Sequence, residues 1–414
     1  MNYLILIVTL LNILLADDVK ESNFNISGII MTYYSTMNYK MSDDTEKDTA
    51  MYYASTQLNI DYTNKGFYFQ ATPYIYAYSS KDGEEIKNIA NENSYEKSSL
   101  FFRSLYMSYT FNTWTLGVGV LPFMNSMPMQ FGDDTIQNGV GLNTLNDNTL
   151  MSIFCIYKTA DTKTIFGVGT LEQDVVETGN YISDRLREDT KIYFLINIYK
   201  NDKFIFTNEL MYSDIKYNSV DSSDIYLYGL GISWDDSMDS GLVLYNVAGA
   251  SMNKNNSTNA KDEIFTNIFG SVEKGEAMYA AFPNSFAIDN ETYYGASNLL
   301  GLRYEMDMFP LETFINIEWF RTFGDWTSGN QGNNIFDGKI NQMYNIRDNA
   351  YYINFGILTS KNSMLRFTYS YLEFDEFGKI GASASTIPNE DLFGGKKIVR
   401  DVTEVFHIIF TYRF

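Results

Sequence analysis

From about Ser22 onward, apolar side chains recur at every second position in runs of roughly 9 to 14 residues, with polar stretches between the runs. A period of two belongs to a strand, whereas a helix repeats near 3.6. The final run shows it most clearly. Phe406, Ile408, Phe410, Tyr412 and Phe414 share one face, with His407, Thr411 and Arg413 on the other. An apolar face this regular must lie against something apolar.

Sixteen such runs are present, at approximately 23–36, 50–62, 66–79, 98–111, 114–121, 149–159, 163–171, 190–200, 203–214, 224–234, 241–251, 293–306, 312–323, 350–359, 364–374 and 401–414. Their connections are of two kinds, and the two kinds alternate. Seven are short: TNKG at 63–66, FNTW at 111–114, ADTK at 160–163, KNDK at 200–203, DDSMDS at 235–240, DMFPL at 307–311 and SKNS at 360–363. Eight are longer, polar and mostly acidic, near 37–49, 80–97, 122–148, 172–189, 215–223, 252–292, 324–349 and 375–400. Short turns at one rim, long loops at the other and an even strand count describe an antiparallel transmembrane β-barrel of sixteen strands, with periplasmic turns and extracellular loops. A soluble sandwich or a propeller gives no reason for that alternation.

Aromatic residues at the strand ends agree, since membrane barrels carry aromatic girdles at both interfaces. Tyr52–Tyr53, Tyr293–Tyr294 and Tyr351–Tyr352 open strands just after long loops, while Phe111, Trp114, Tyr62, Phe67, Tyr199, Phe204 and Trp234 flank short turns. No later stretch approaches 18 consecutive apolar residues, so a multi-span helical membrane protein is excluded. The apolar stretch from Tyr3 to Ala16, followed by Asp17 and Asp18, is too short to span a bilayer as a helix and reads as a secretory signal peptide, residues 1–16. Residues 17–414 then form one barrel domain, exported to the outer membrane of a Gram-negative bacterium.

Composition narrows the chemistry. The 414 residues carry 30 Lys and Arg against 51 Asp and Glu, a formal charge of −21, which disfavours nucleic acid as a partner. One Cys and one His leave no room for a disulfide, a thiolate zinc site or a His-based metal centre, so no metal and no cofactor is expected. His407 lies in the last run with no GxSxG elbow anywhere, so no enzymatic activity is expected, and Cys155 reads as a small apolar filler.

The ending VFHIIFTYRF, with Phe410, Tyr412 and the terminal Phe414, resembles the C-terminal signature by which the barrel assembly machinery recognises bacterial outer-membrane barrels. The run SLFFRSLYMSYTFNTWTLGVGVLPF at 99–123 looks like the strand–turn–strand that leads into the pore loop of the epsilonproteobacterial major outer-membrane porins. That family is usually given eighteen strands, which makes eighteen the competing count. The resemblance implies a porin, a contact with outer-membrane lipid and lipopolysaccharide, and a homotrimer.

In general porins the third long loop folds into the lumen. Here that loop is residues 122–148, with Asp133, Asp134 and Asp147 and no Lys or Arg, and its QFGDDT loosely resembles the acidic stretch of enterobacterial constriction loops. Carried over, Asp133 and Asp134 would line the constriction; the alternative is that this loop folds over the outer mouth like the others, with its acids solvated. Basic side chains should stand opposite, and Arg103 and Arg366 are the candidates, because an Arg on the lipid face at mid-membrane costs about 2–4 kcal/mol. By parity Arg303 and Glu305 share an inward face, as do Asn316 and Glu318. The alternative for each is an ordinary lumen charge or one near a rim.

The expected function is a water-filled, mildly cation-selective channel for passive diffusion of small hydrophilic solutes and ions. Two other readings stand beside it. A substrate-specific channel needs an apolar or aromatic track in the lumen, hinted at only by FMNSMPM at 123–129, and a surface adhesin or structural barrel would have a plugged lumen.

Overall fold

The computed structural model describes residues 23–41, 46–80, 99–122, 149–171, 189–216, 222–256, 292–308, 311–324, 326, 349–373 and 400–414. Their strands are β1 (Asn23–Met41), β2 (Glu46–Asn64), β3 (Phe67–Ser80), β4 (Ser99–Phe111), β5 (Trp114–Pro122), β6 (Thr149–Lys158), β7 (Thr162–Leu171) and β8 (Asp189–Lys200). The second half of the chain adds β9 (Phe204–Lys216), β10 (Ser222–Asp236), β11 (Leu242–Asn256), β12 (Thr292–Met308), β13 (Leu311–Gly324), β14 (Asn349–Ser360), β15 (Ser363–Glu373) and β16 (Arg400–Arg413). Each strand pairs antiparallel with its neighbours in sequence, and β1 pairs with β16, so the sheet closes into a sixteen-stranded barrel.

The expected strand count and order are present. Several strands run further than the apolar pattern suggests, most clearly β1 and β2, which pair out to Lys40 and Glu46. Backbone pairing continues into polar sequence because the ladder needs only N–H and C=O groups, whereas the pattern reports only the part that meets hydrocarbon.

Side chains alternate between the two wall faces along most of the sheet, and β9 shows it clearly. Along β9, Thr207, Glu209, Met211, Ser213 and Ile215 are buried toward the interior, while Phe206 and Leu210 are exposed on the outer wall. The outer wall carries Ile153, Leu195, Leu300, Ile317, Ile353 and Phe410 along its middle. Aromatic rings gather near its two rims. Trp114 and Tyr157 lie 4.8 Å apart beside the short turns, and Tyr193, Tyr212 and Tyr226 stack at 5.7 and 4.8 Å toward the long connections.

The short turns are held by their own side chains. Asn201 Oδ1 accepts hydrogen bonds from the Lys203 and Phe204 backbone N–H groups at 3.1 and 2.8 Å. Lys203 reaches the next turn, a single helical turn at Ser237–Ser240, and donates to Asp236 and to Asp239, the latter at 2.8 Å. These hydrogen bonds hold the Lys203 ammonium above its ordinary range.

Closure brings Phe414 against Gly28. The two residues exchange backbone hydrogen bonds of 3.0 Å in each direction, and the Phe414 ring covers the glycine so closely that a Cβ there would lie 2.4 Å from Cζ. Phe410, Tyr412 and Phe414 all point outward. A second close approach lies on the inner wall, where Gly301 is the register partner of Tyr245 and a Cβ at position 301 would meet the Tyr245 ring at 2.1 Å. Lacking a side chain there, the strand lets Tyr245 lie flat across it toward β13.

Gly301→Val is therefore expected to lower stability by about 1–3 kcal/mol through overpacking. Pairing it with Tyr245→Ala should recover part of the loss. The midpoint for loss of the folded, faster-migrating species in a heating series on unheated-sample gels checks both, and a wild-type midpoint for Gly301→Val would contradict the packing account.

Candidate functional site

The inner wall is where a barrel of this width acts on solutes, and its chemistry divides by sector. Strands β2–β4 contribute polar groups, one of them the Asp61 carboxylate, that satisfy one another. Gln57 donates to Asn59 at 2.9 Å, Ser104 donates to Thr72 at 2.8 Å, and the Tyr68 hydroxyl donates to Asp61 at 2.7 Å.

The sector around β7 and β8 is mostly apolar on its inner face as well as its outer one, with Lys163 at the short-turn end of β7. Ile165, Ile192, Phe194, Ile196 and Ile198 all point inward and are buried, and Leu227, Val243 and Val247 extend this surface onto β10 and β11. Glu209 and Thr207 on β9 interrupt it. Strand alternation in the sequence hints at an apolar lumen track only at 123–129. The signal for the sector at β7 and β8 is the near-continuous apolar run of β8, IYFLINIY, which marks a strand covered on both faces.

The sector from β12 through β16 to β1 is polar and charged. One row of register partners crosses six strands there: Arg303, Asn316, Asn354, Thr368, His407 and Ser35. Arg303 is buried, with a guanidinium nitrogen 2.8 Å from a Glu305 carboxylate oxygen and its Cζ 4.4 Å above the Phe314 ring. A desolvated guanidinium needs both a counter-charge and a planar surface, and two adjacent strands provide them. Glu318 receives hydrogen bonds from the Tyr245 hydroxyl and, at 3.4 Å, from Asn316 Nδ2. Tyr245 reaches Asn316 Oδ1 as well, at 2.9 Å, and can do so because Gly301 leaves room.

Arg366 is buried on the inner face of β15, two residues from Thr368. The structure brings Arg303, Glu305 and Glu318 together and sets Arg366 at the other end of the same polar sector. Arg103 is the extra residue of a β-bulge, since Thr72 pairs with Ser104 and Pro73 with Phe102, and its side chain lies outside the described residues. The bulge falls at Pro73, which has no N–H to give to a ladder. Asp133, Asp134 and Asp147 also lie outside the described residues.

His407 sits within this sector with its ring centroid 5.5 Å from that of Tyr33. The strand pattern sets His407 opposite the apolar face of the last strand, but its closeness to Ser35 and Thr368 depends on two strand registers that a single strand pattern does not contain. Among the described residues no three His, Cys, Asp or Glu side chains gather as a metal site would require.

No family model matches the chain, and no curated protein matches it. Solved structures do. The anion-selective porin from Comamonas acidovorans superimposes with a TM-score of 0.50 at 11% identity, covering 95% of this chain and 100% of that one. Outer-membrane expressed OmpT of Vibrio cholerae gives a TM-score of 0.50 at 8% identity, over 96% of this chain and 99% of that one. At these identities the likeness is one of architecture: the chain has the fold of bacterial outer-membrane porin barrels.

Proposed function

We propose that the protein is an outer-membrane porin, a water-filled channel for passive diffusion of small hydrophilic solutes and ions, with no enzymatic activity. The observation that carries this reading is the closed sixteen-stranded barrel with an apolar outer wall and an inner wall that carries a broad polar sector. A membrane-spanning sheet needs the first, and a path for hydrated solutes needs the second. On this reading residues 1–16 direct export, and the assembly machinery recognises Phe410, Tyr412 and Phe414. The barrel sits in outer-membrane lipid and lipopolysaccharide as a homotrimer. Membership of the epsilonproteobacterial major porins rests on the likeness of residues 99–123, with sixteen strands where that family has eighteen.

The constriction is assigned to residues 122–148. Pro122 and Thr149 are register partners on β5 and β6, so the segment leaves and returns beside the apolar inner sector. Uncovered, that sector would face channel water at about 25 cal/mol per Å² of apolar area. Phe123, Met124, Met127, Met129 and Phe131 are suited to cover it. An excursion of 13 residues out and 13 back reaches roughly 40 Å at about 3.3 Å per residue, enough to bring Asp133 and Asp134 into the lumen. Arg303 and Arg366 in the polar sector would face those acids. A net charge of −21 supports a mild preference for cations.

Purified protein in planar bilayers is expected to give steady open steps, with a reversal potential under a KCl gradient that favours potassium. Asp133→Asn/Asp134→Asn should weaken that preference. Absence of conductance would overturn the channel reading in favour of a filled, surface-acting barrel.

A further inference from the structure

On the lipid-facing side of β5 to β9 the barrel wall is dented. Leu116, Cys155, Phe166, Leu195 and Leu210 are successive register partners across these five strands, and Cys155 is the smallest side chain of the row. Cys155 is 8% exposed, whereas Leu116 beside it is 52% exposed and Ile153, two residues before it, 67%. The larger neighbours stand above Cys155 and enclose an apolar groove of about 510 Å³. Gly167, which has no side chain, lies at its floor, and Tyr193 and Tyr212 bound it toward the rim of the long connections.

Beyond those tyrosines the outer wall turns from apolar to charged on three strands at once. Toward the rim, β8 reads Leu195, Tyr193, Lys191, β9 reads Leu210, Tyr212, Asp214, and β10 reads Tyr228, Tyr226, Asp224. Lys191, Asp214, Asp224 and Lys254 are successive register partners across β8, β9, β10 and β11. The Tyr212 hydroxyl donates to one Asp224 oxygen at 2.7 Å, and Asn256 Nδ2 donates to the other at 3.3 Å. Two cations and two anions in this row sum to zero. One step further out, Lys216 has Asp189 as a register partner, which adds one charge of each sign. In a chain of net charge −21, these two rows are balanced.

We infer that the groove and the row beyond it hold one zwitterionic phospholipid, with an acyl chain in the groove and an aminoethyl phosphate headgroup on the charged row. The inference rests on the reading of the outer wall as membrane-embedded and gives that wall a lipid-binding site. In hydrocarbon an acyl chain gains nothing from leaving water, so a groove retains it only through the closer packing that a concave surface allows. Selection among lipids then falls to the headgroup. Its ammonium meets the Asp214 carboxylate, and its phosphate meets the exposed Lys254 ammonium, whose flexible four-carbon stem reaches back along the row. A headgroup that carries both signs and sums to zero matches a row that does the same. An anionic headgroup would set further negative charge against Asp214 and Asp224, with no excess of lysine to offset it.

The test is native mass spectrometry of the whole protein in detergent, with phosphatidylethanolamine, phosphatidylglycerol and lipid A offered separately. Phosphatidylethanolamine is expected to leave one retained equivalent per barrel at detergent concentrations that strip the other two. Asp214→Asn/Lys254→Gln should raise the concentration for half-retention about fivefold, and Cys155→Phe, which fills the groove, about threefold. Ile353→Phe, on the outer wall of β14, should leave it unchanged. The rim pair changes no side chain of the groove, so it tests the site even where Cys155→Phe does not fold. Equal retention of phosphatidylglycerol or lipid A would overturn the proposal, and so would retention that neither the rim pair nor Cys155→Phe alters. Loss of oligomer in Cys155→Phe with lipid retention unchanged would make the groove a contact between copies of the chain and overturn it as well. Bilayer conductance of the same samples separates this site from the channel reading. Retention without conductance keeps the site and sinks the channel, and conductance without retention does the reverse.

Discussion

Everything in this molecule depends on the absence of water around the outer wall. In hydrocarbon each unmet N–H or C=O costs several kcal/mol, so a sheet can cross a membrane only if it has no edge. Pairing of β1 with β16, completed by the mutual backbone hydrogen bonds of Gly28 and Phe414, removes the last one. The terminal aromatic ring lies over that junction. A residue type that resembles an assembly signal thus also packs on the seam that assembly must close, so docking of the last strand and closure of the barrel involve the same contact.

Once closure fixes the registers, the lumen follows from arithmetic on strands. Sixteen strands in one ring place β8 diametrically opposite β16, and β7 opposite β15. The apolar inner surface of Phe194, Ile196 and Ile165 therefore faces the polar sector of Arg366 and His407 across the bore. This two-sidedness arises from the wall itself. The inner wall therefore has one apolar side and, across from it, one side rich in hydrogen-bonding groups.

The fold could be read from the chain because a strand period, an even count and two alternating classes of connection are local properties of sequence. The ends of β1 and β2 could not, since polar residues such as Lys40 and Glu46 join the ladder through their backbones alone. The site was readable only within single strands. Parity puts Arg303 beside Glu305, but the Phe314 ring beneath the guanidinium, the Tyr245 hydroxyl on Glu318 and the row from Asn354 to Ser35 all require registers between strands. The inner face of β8 was hidden for a different reason. A run that is apolar at nearly every position has almost no phase, so it does not say which side is which.

On β15, alternate residues face lipid and lumen. Spin labels at positions 365 to 370 of β15, placed one at a time in a Cys155→Ser background and reconstituted in lipid, measure it directly. Collision with oxygen should dominate at 365, 367 and 369, and shielding from oxygen at 366, 368 and 370, with a period of two. Uniform accessibility along the segment, or the opposite phase, would contradict a barrel with this outer wall in the membrane.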